Sequence, residues 1–320
     1  MSGITRRTAA TMIIAALGTR LAEADDGMTL RVTQDTPIIL LPFFVARELR
    51  LWEKNGLAMT PVPSVIGMPN LIAVMGGSID VGISSMGATT IAALNRAPIR
   101  ALGSFVRFEA MELACKADIK TAADIVGKKI AILQGTDSQY YLNLLTTKYK
   151  IAPGSFETVR LDPSAMASAL ASGAIDGFVW QEPFLTKAVG VNPTKFHRLA
   201  DPGLMTLNAF ATTTEKAVQQ KRPLLVSTLK TLDDACRYIK ENPEQAVSIG
   251  ARYAQIDPVI ASSAFSRMQL SLALDVPAYS REMHNVAEWA ISDKVVRPDL
   301  TIPDFSSFFA PEVFSQVKQS

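Results

Sequence analysis

From residue 29 onward, short apolar runs alternate with stretches whose apolar residues recur every three or four positions. The runs predict strands at 29–35, 57–65, 80–84 and 99–106. The longer-period stretches predict helices at 38–54, 69–75 and 89–95, the first closed by Asn55-Gly56 and the second by Gly76-Gly77. After a further apolar run at 110–115 the alternation resumes, with strands at 129–134, 156–161 and 175–180 and helices at 138–149 and 165–172. Strand–helix–strand units of this kind predict an α/β fold with a mainly parallel sheet.

The alternation occurs twice, and the two halves share an anchor. MGGSIDVGI (75–83) and ASGAIDGFV (171–179) each set a glycine at a helix end, then Ile-Asp, then a buried strand. Glycine there is a left-handed cap and aspartate stops the helix. The expected architecture is two similar α/β lobes without a flexible linker. The apolar runs at 110–115 and 207–211 are expected to cross between lobes and form a hinge. Segments 25–112 and 207–320 would then make one lobe and 113–206 the other. From Lys216 the pattern is mostly helical, with Arg222-Pro223 opening one long helix and Asn242-Pro243 separating it from the next.

The N-terminus belongs to a different class of sequence. MSGITRR is basic, 8–18 is mostly apolar or small, and Ala22-Glu23-Ala24 offers an A-x-A cleavage site, so residues 1–24 are expected to be an export signal. The run is too short for a transmembrane anchor. Paired Arg6 and Arg7 fit the twin-arginine route, Thr8-Ala9 departs from what usually follows, and the route stays open. Cleavage after Ala24 removes three arginines and one glutamate and takes the net charge from +2 to 0. A neutral mature chain has no electrostatic reason to bind nucleic acid or an anionic membrane. Cys115 and Cys236, the two cysteines, form no Cys-x-x-Cys pair and follow no lipid-anchor pattern. Two buried thiols are the expectation, with a disulfide as the alternative.

Candidate chemistry lies where strands end on small polar residues that open helices. Ser84-Ser85-Met86-Gly87 does so in one half and Gly135-Thr136-Asp137-Ser138 in the other. A helix start carries unpaired N–H groups and a partial positive charge, so two such turns facing each other would hold an anion or a polar head. The alternative is plain capping by Thr136, Asp137 or Ser138. Asp137 would itself compete for the helix dipole.

These residues carry a family resemblance. Ala123-Asp124-Ile125-Val126-Gly127-Lys128-Lys129-Ile130-Ala131, then Gln134-Gly135-Thr136, Gly173-Ala174-Ile175-Asp176-Gly177 and Trp180-Gln181-Glu182-Pro183-Phe184 resemble the substrate-binding proteins of ABC importers for nitrate, sulfonate and taurine, a family that includes binders of thiamine-precursor pyrimidines. Gly77-Ser78-Ile79-Asp80-Val81-Gly82 with Ser84-Ser85, and Asn242-Pro243-Glu244-Gln245-Ala246, fit in order and spacing over about residues 29–314. The resemblance implies a type II periplasmic binding protein: two Rossmann-like lobes joined by two hinge strands, a monomer closing on a small-molecule ligand and serving ABC permease and ATPase subunits. It implies ligand contacts at Gln34, Thr36, Ser84, Ser85, Thr136, Asp137, Ser138, Gln139, Trp180 and Glu182, and more weakly at Phe43, Phe44 and Asn208. For Phe43, Phe44 and Trp180 the competing reading is core packing.

Sulfonate and nitrate call for a positive or donor-rich pocket, whereas the marked turns carry Asp137 and Glu182, with Glu109 nearby. Acids suit an amine, as in taurine, or a protonatable ring, as in an aminopyrimidine, with Arg107 and Arg160 available to balance them. An aromatic acid is a further candidate. No catalytic residue, metal or cofactor is expected: His197 and His284 are isolated, there is no Gly-x-Ser-x-Gly elbow or P-loop, and the fungal thiamine-pyrimidine synthases carry a cysteine cluster that this chain lacks. A regulator's sensor domain would place a helix-turn-helix where the export signal stands. A sensor-associated binding protein remains an alternative.

Overall fold

A computed structural model describes residues 28–317; the expected export signal lies outside them. The first lobe begins with β1 (Thr29–Gln34), a 3-10 turn at Ile38–Leu40, α1 (Leu41–Glu48), α2 (Leu51–Lys54), β2 (Ala58–Pro63), α3 (Met68–Met75), β3 (Gly82–Ser85), α4 (Met86–Leu94) and β4 (Ile99–Phe108). The second lobe follows as β5 (Glu112–Lys116), β6 (Lys129–Ile132), α5 (Asp137–Lys148), β7 (Glu157–Arg160), α6 (Pro163–Ser172), β8 (Gly177–Trp180), α7 (Phe184–Val191) and β9 (Phe196–Leu199). The chain then returns through β10 (Leu207–Thr214), α8 (Glu215–Gln220), α9 (Arg222–Glu241), α10 (Pro243–Ala254), α11 (Pro258–Phe265), β11 (Met268–Ala273), α12 (Val276–Ser292) and α13 (Pro311–Val317). No described helix is long and apolar enough to cross a membrane.

Two sheets anchor the lobes. One has the order β11-β4-β10-β3, with parallel β1-β2 joined to its edge by a bridge between Val32 and Val81; the other has the order β7-β6-β8-β5-β9. The chain passes between them at 109–111 and again at 200–206. The runs expected to cross sit just beyond these passages, β5 within the second sheet and β10 within the first. Neither sheet is mainly parallel: the four-stranded one is antiparallel throughout and the five-stranded one is mixed. β10 enters between β3 and β4 and runs antiparallel to both, and β5 pairs antiparallel with β8 and β9. Each arrives by a passage from the other lobe rather than by a right-handed helical crossover, so the parallel rule does not bind it.

The Ile-Asp motif does more than stop a helix. Asp80 N–H donates to Arg31 O at 2.8 Å while Arg31 N–H donates to the Asp80 carboxylate at 2.9 Å. Asp176 N–H donates to Lys129 O at 2.8 Å while Lys129 N–H donates to the Asp176 carboxylate at 2.8 Å. The same reciprocal pair thus fastens the helix-to-strand turn to β1 in the first lobe and to β6 in the second. Arg31 and Lys221 complete the first carboxylate's partners and Lys116 the second's, and both acids are held below the ordinary carboxylate range against the cost of burial.

A continuous core runs from Leu30 and Phe105 in the first lobe past Phe108, Met111 and Leu113 to Ile130 and Leu145 in the second. Leu224, Leu225, Thr228, Leu229, Leu232, Ala235, Cys236 and Ile239 give α9 one buried face with helical spacing. Burial of each such leucine contributes about 2 kcal/mol. Phe43 joins this core at 6 % exposure, its ring 5.8 Å from Trp52 and 5.2 Å from Phe105. Phe44 likewise lies 5.2 Å from Tyr253. Cys115 and Cys236 are free and buried, each thiol pushed up to about 12 by burial.

Candidate functional site

Between the lobes lies a cleft of about 870 Å³, bordered by the ends of β1, β3, β8 and β10, the starts of α4 and α5, and the later helices α11 and α12. Gly135 makes the turn between β6 and α5 by adopting φ of +73°, a conformation that costs glycine little, and its N–H donates to Gln139 Oε1 at 2.8 Å. Thr136 caps α5, accepting from Ser138 N–H at 3.3 Å and donating to Leu133 O at 2.7 Å. Across the cleft, Ser85 caps α4 by accepting from Ala88 N–H at 3.3 Å. The two helix starts face each other, and what lies between them is a side chain: the Asp137 carboxylate accepts a hydrogen bond from Ser85 and abuts Gly87. A Cβ built on Gly87 would stand 2.7 Å from Asp137 Oδ1, so this approach requires glycine. Tyr140 packs on Trp289 at 4.9 Å between ring centroids, and Gln139 Nε2 donates to Asp293 at 3.4 Å, closing the contact of α5 with α12.

Asp137 is partly exposed as a residue, yet its carboxylate is turned inward against the other lobe. Burial raises its pKa to about 6, opposed only by the Ser85 hydrogen bond, and no cation among the described residues faces it. Two of the other acids at the cleft are committed. Glu182 accepts from Arg198 at 2.5 Å and from Thr186 N–H and Oγ–H at 3.2 and 3.0 Å. Asp35 accepts from Thr36 and Ile66 N–H at 2.8 and 3.1 Å, tying the loops after β1 and β2 together. Glu109 is exposed. Arg267, the one Arg or Lys among the cleft-lining residues described, pairs with Glu112, which also takes Arg198 Nε at 2.6 Å. This chain of charges runs from β11 through β5 and β9 to Glu182.

Asn208 is fully buried in the cleft wall. Its Nδ2 donates to Glu282 at 3.1 Å, while Oδ1 has no partner among the described residues. Burial also pushes the Glu282 and Tyr140 acids up, that of Tyr140 with help from Glu282 and Asp137.

Of the residues singled out from sequence, Thr36, Ser85, Thr136, Asp137, Trp180, Glu182 and Asn208 line the cleft. Ser84 does not: it points into the core and shares a 2.7 Å hydrogen bond with Thr89. Ser138 is buried and donates to Val179 O at 2.8 Å, holding α5 to β8. Gln139 spends its amide on Gly135 and Asp293. Gln34, Phe43 and Phe44 border a separate groove of about 570 Å³. Arg107 lines a third hollow beside the chain passages, and Arg160 ends β7 at the surface. The sequence reading missed Tyr140 and Trp289. Spacing could have found Tyr140, one helical turn beyond Asp137 on the same face; nothing local marks Trp289.

A family model described as NMT1/THI5 like matches residues 39–246. A binding protein of Brucella abortus (strain 2308) is 29% identical over 217 residues, 67% of this chain and 67% of that protein. The taurine-binding periplasmic protein of Escherichia coli (strain K12) is 30% identical over 110 residues, 34% of each chain. Among solved structures, the periplasmic aliphatic sulphonate binding protein SsuA from Escherichia coli superposes with a TM-score of 0.75 at 17% identity, over 86% of this chain and 90% of that one. At that identity the likeness speaks for the fold.

Proposed function

Because the chain belongs to the NMT1/THI5-like family, we propose that it is the solute receptor of an ABC importer, exported to the periplasm, closing on a small organic molecule between its lobes and presenting it to a permease and its ATPase. The observation that carries this reading is the cleft, whose walls come from both lobes and whose two helix starts meet through Asp137 and Ser85. A ligand touching both sides favours the closed arrangement because only that arrangement lets both contribute. The domain division follows the same logic, with 25–112 and 207–320 forming one jaw and 113–206 the other. Thr36, Ser85, Thr136, Asp137 and Trp180 are the proposed ligand contacts; Ser84, Ser138 and Gln139 support them from behind.

The lining favours an organic body over a small inorganic oxyanion. Trp180, Tyr140, Trp289 and Phe184 supply aromatic surface, and Arg267 is already matched by Glu112. The relatives reported above are named as binding proteins, and buried thiols with pKa values pushed up to about 12 are poor nucleophiles, which weighs against a synthase. A thermal-shift screen of residues 25–320 against taurine, alkanesulfonates, nitrate, aromatic acids and aminopyrimidines tests the receptor reading. A true ligand at a hundred times its Kd adds about 2.7 kcal/mol. Stabilisation by none of these classes would contradict the reading.

A further inference from the structure

The place where an oxyanion would be held, between two opposed helix starts, is filled by the protein's own carboxylate. We infer that Asp137 selects for a positively charged nitrogen, so that the cleft takes an organic cation with an aromatic or apolar body; this rests on the cleft being the solute site proposed above.

Three observations on different elements converge on it. First, Asp137 sits at the start of α5 with the start of α4 opposite, where both dipoles favour negative charge, and it already supplies that charge. A ligand anion would have to displace it or lie against it, and two anions sharing one small dry site repel strongly. Second, an ionised carboxylate offers about four lone-pair positions. Among the described residues only the Ser85 hydroxyl is matched to Asp137, and none of their cations acts on it. A charge turned away from water with so few partners is costly unless something completes it. Among the other cleft-lining acids, Glu182 and Asp35 have donors of their own, and Glu109 is exposed, so water already serves its charge. Third, Asn208 is fully buried in the same cleft wall with its amide nitrogen spent on Glu282, which leaves an acceptor, not a donor, unmet. Both of these buried, under-matched groups are acceptors, and they ask for N–H donors. The aromatic surface of Trp180, Tyr140 and Trp289 suits the body of such a ligand and attracts its charge through the ring faces.

The test is calorimetric titration at pH 8 of the mature wild type and of D137N with matched probes. Benzylamine, phenethylamine and benzamidine carry the cation, and phenylmethanesulfonate carries the anion on a similar body. The expected result is that at least one amine or amidine binds the wild type ten or more times tighter than the sulfonate, and that D137N loses at least tenfold for that cation while gaining for the sulfonate. D137N keeps its fold in this account because removing the charge relieves an uncompensated group, and an unchanged circular dichroism spectrum with an undiminished Tm verifies that. Preference of the wild type for the sulfonate, or a D137N variant that binds the cation as well as the wild type does, overturns the inference and leaves the receptor reading standing. Binding of none of the cations also overturns it, since the receptor reading is decided separately by stabilisation with any solute in the screen above.

Discussion

Asp80 and Asp137 are both aspartates turned away from bulk water, and the protein treats them in opposite ways. The Asp80 side chain is 6% exposed and is met by Arg31 through its backbone N–H and guanidinium and by Lys221 at 3.2 Å. Its pKa is held down despite burial. Among the described residues Asp137 has one hydroxyl for company, and its pKa is pushed up to about 6. The first acid completes a structural joint, repeated at Asp176 in the other lobe. The second is left incomplete at the point where the lobes meet. An acid that the fold needs is satisfied by the fold; an acid kept short of partners in a cleft is suited to a partner from outside.

The comparison breaks most readily at Asp80. Asp80→Ala leaves two cations and a strand N–H without their carboxylate and should cost about 2–4 kcal/mol, reduced from the fully buried case because Arg31 and Lys221 are partly exposed. Urea unfolding at pH 7 measures it, and a loss under about 1 kcal/mol would show that the joint does not depend on charge.

Asp137→Asn should act in the other direction, with a sign set by pH. The Asp137 pKa is raised on folding, so its favourable contribution is fully present below the unfolded value of 3.8 and is lost as pH rises through about 6. The groups facing it are the Ser85 hydroxyl and the Tyr140 phenol, with Glu282 beyond. Relative to D137N, the wild type should therefore lose about 1–3 kcal/mol between pH 4 and pH 7.5. Asp80 shows the reverse: its contribution is present above 3.8 and fades as pH falls through its lowered folded value. A wild type and D137N that track each other across this range would remove the contrast.

Gly87→Ala tests the approach of the lobes. The new methyl group meets Asp137 Oδ1 at 2.7 Å, so ligand affinity should fall about tenfold, near 1.4 kcal/mol. Glu182→Gln should have the smallest effect on ligand. Its carboxylate already serves Arg198 and Thr186, so affinity should change by less than about threefold while stability falls by about 1 kcal/mol. A large loss of affinity would return Glu182 to the binding set.

Much of this was legible from residue pattern. The Ile-Asp anchors, the strand ends at Ser85 and Gly135 and the two-lobe plan follow from periodicity and turn chemistry. Orientation was less legible. Ser84 and Ser85 are neighbours in a strand and so face opposite sides, one into the core and one to the cleft. In α5, Asp137 and Tyr140 share a face, while Ser138 is turned to β8. β9 and β11 were hidden because each is short and completes a sheet begun far away in sequence, β11 by pairing with β4. Trp289 reaches the cleft on α12, which follows α5 only after the rest of the second lobe and much of the first have been built. Such long-range placement leaves no local pattern.

The most direct measurement is the titration of the Asp137 carboxylate by carbon-13 NMR, with and without saturating benzylamine. Asp137 should titrate near 6 in the free protein and at least one unit lower with the amine bound, because a cation beside a carboxylate favours its charged form. A titration that stays in place when the amine binds, or that moves upward, would contradict the account.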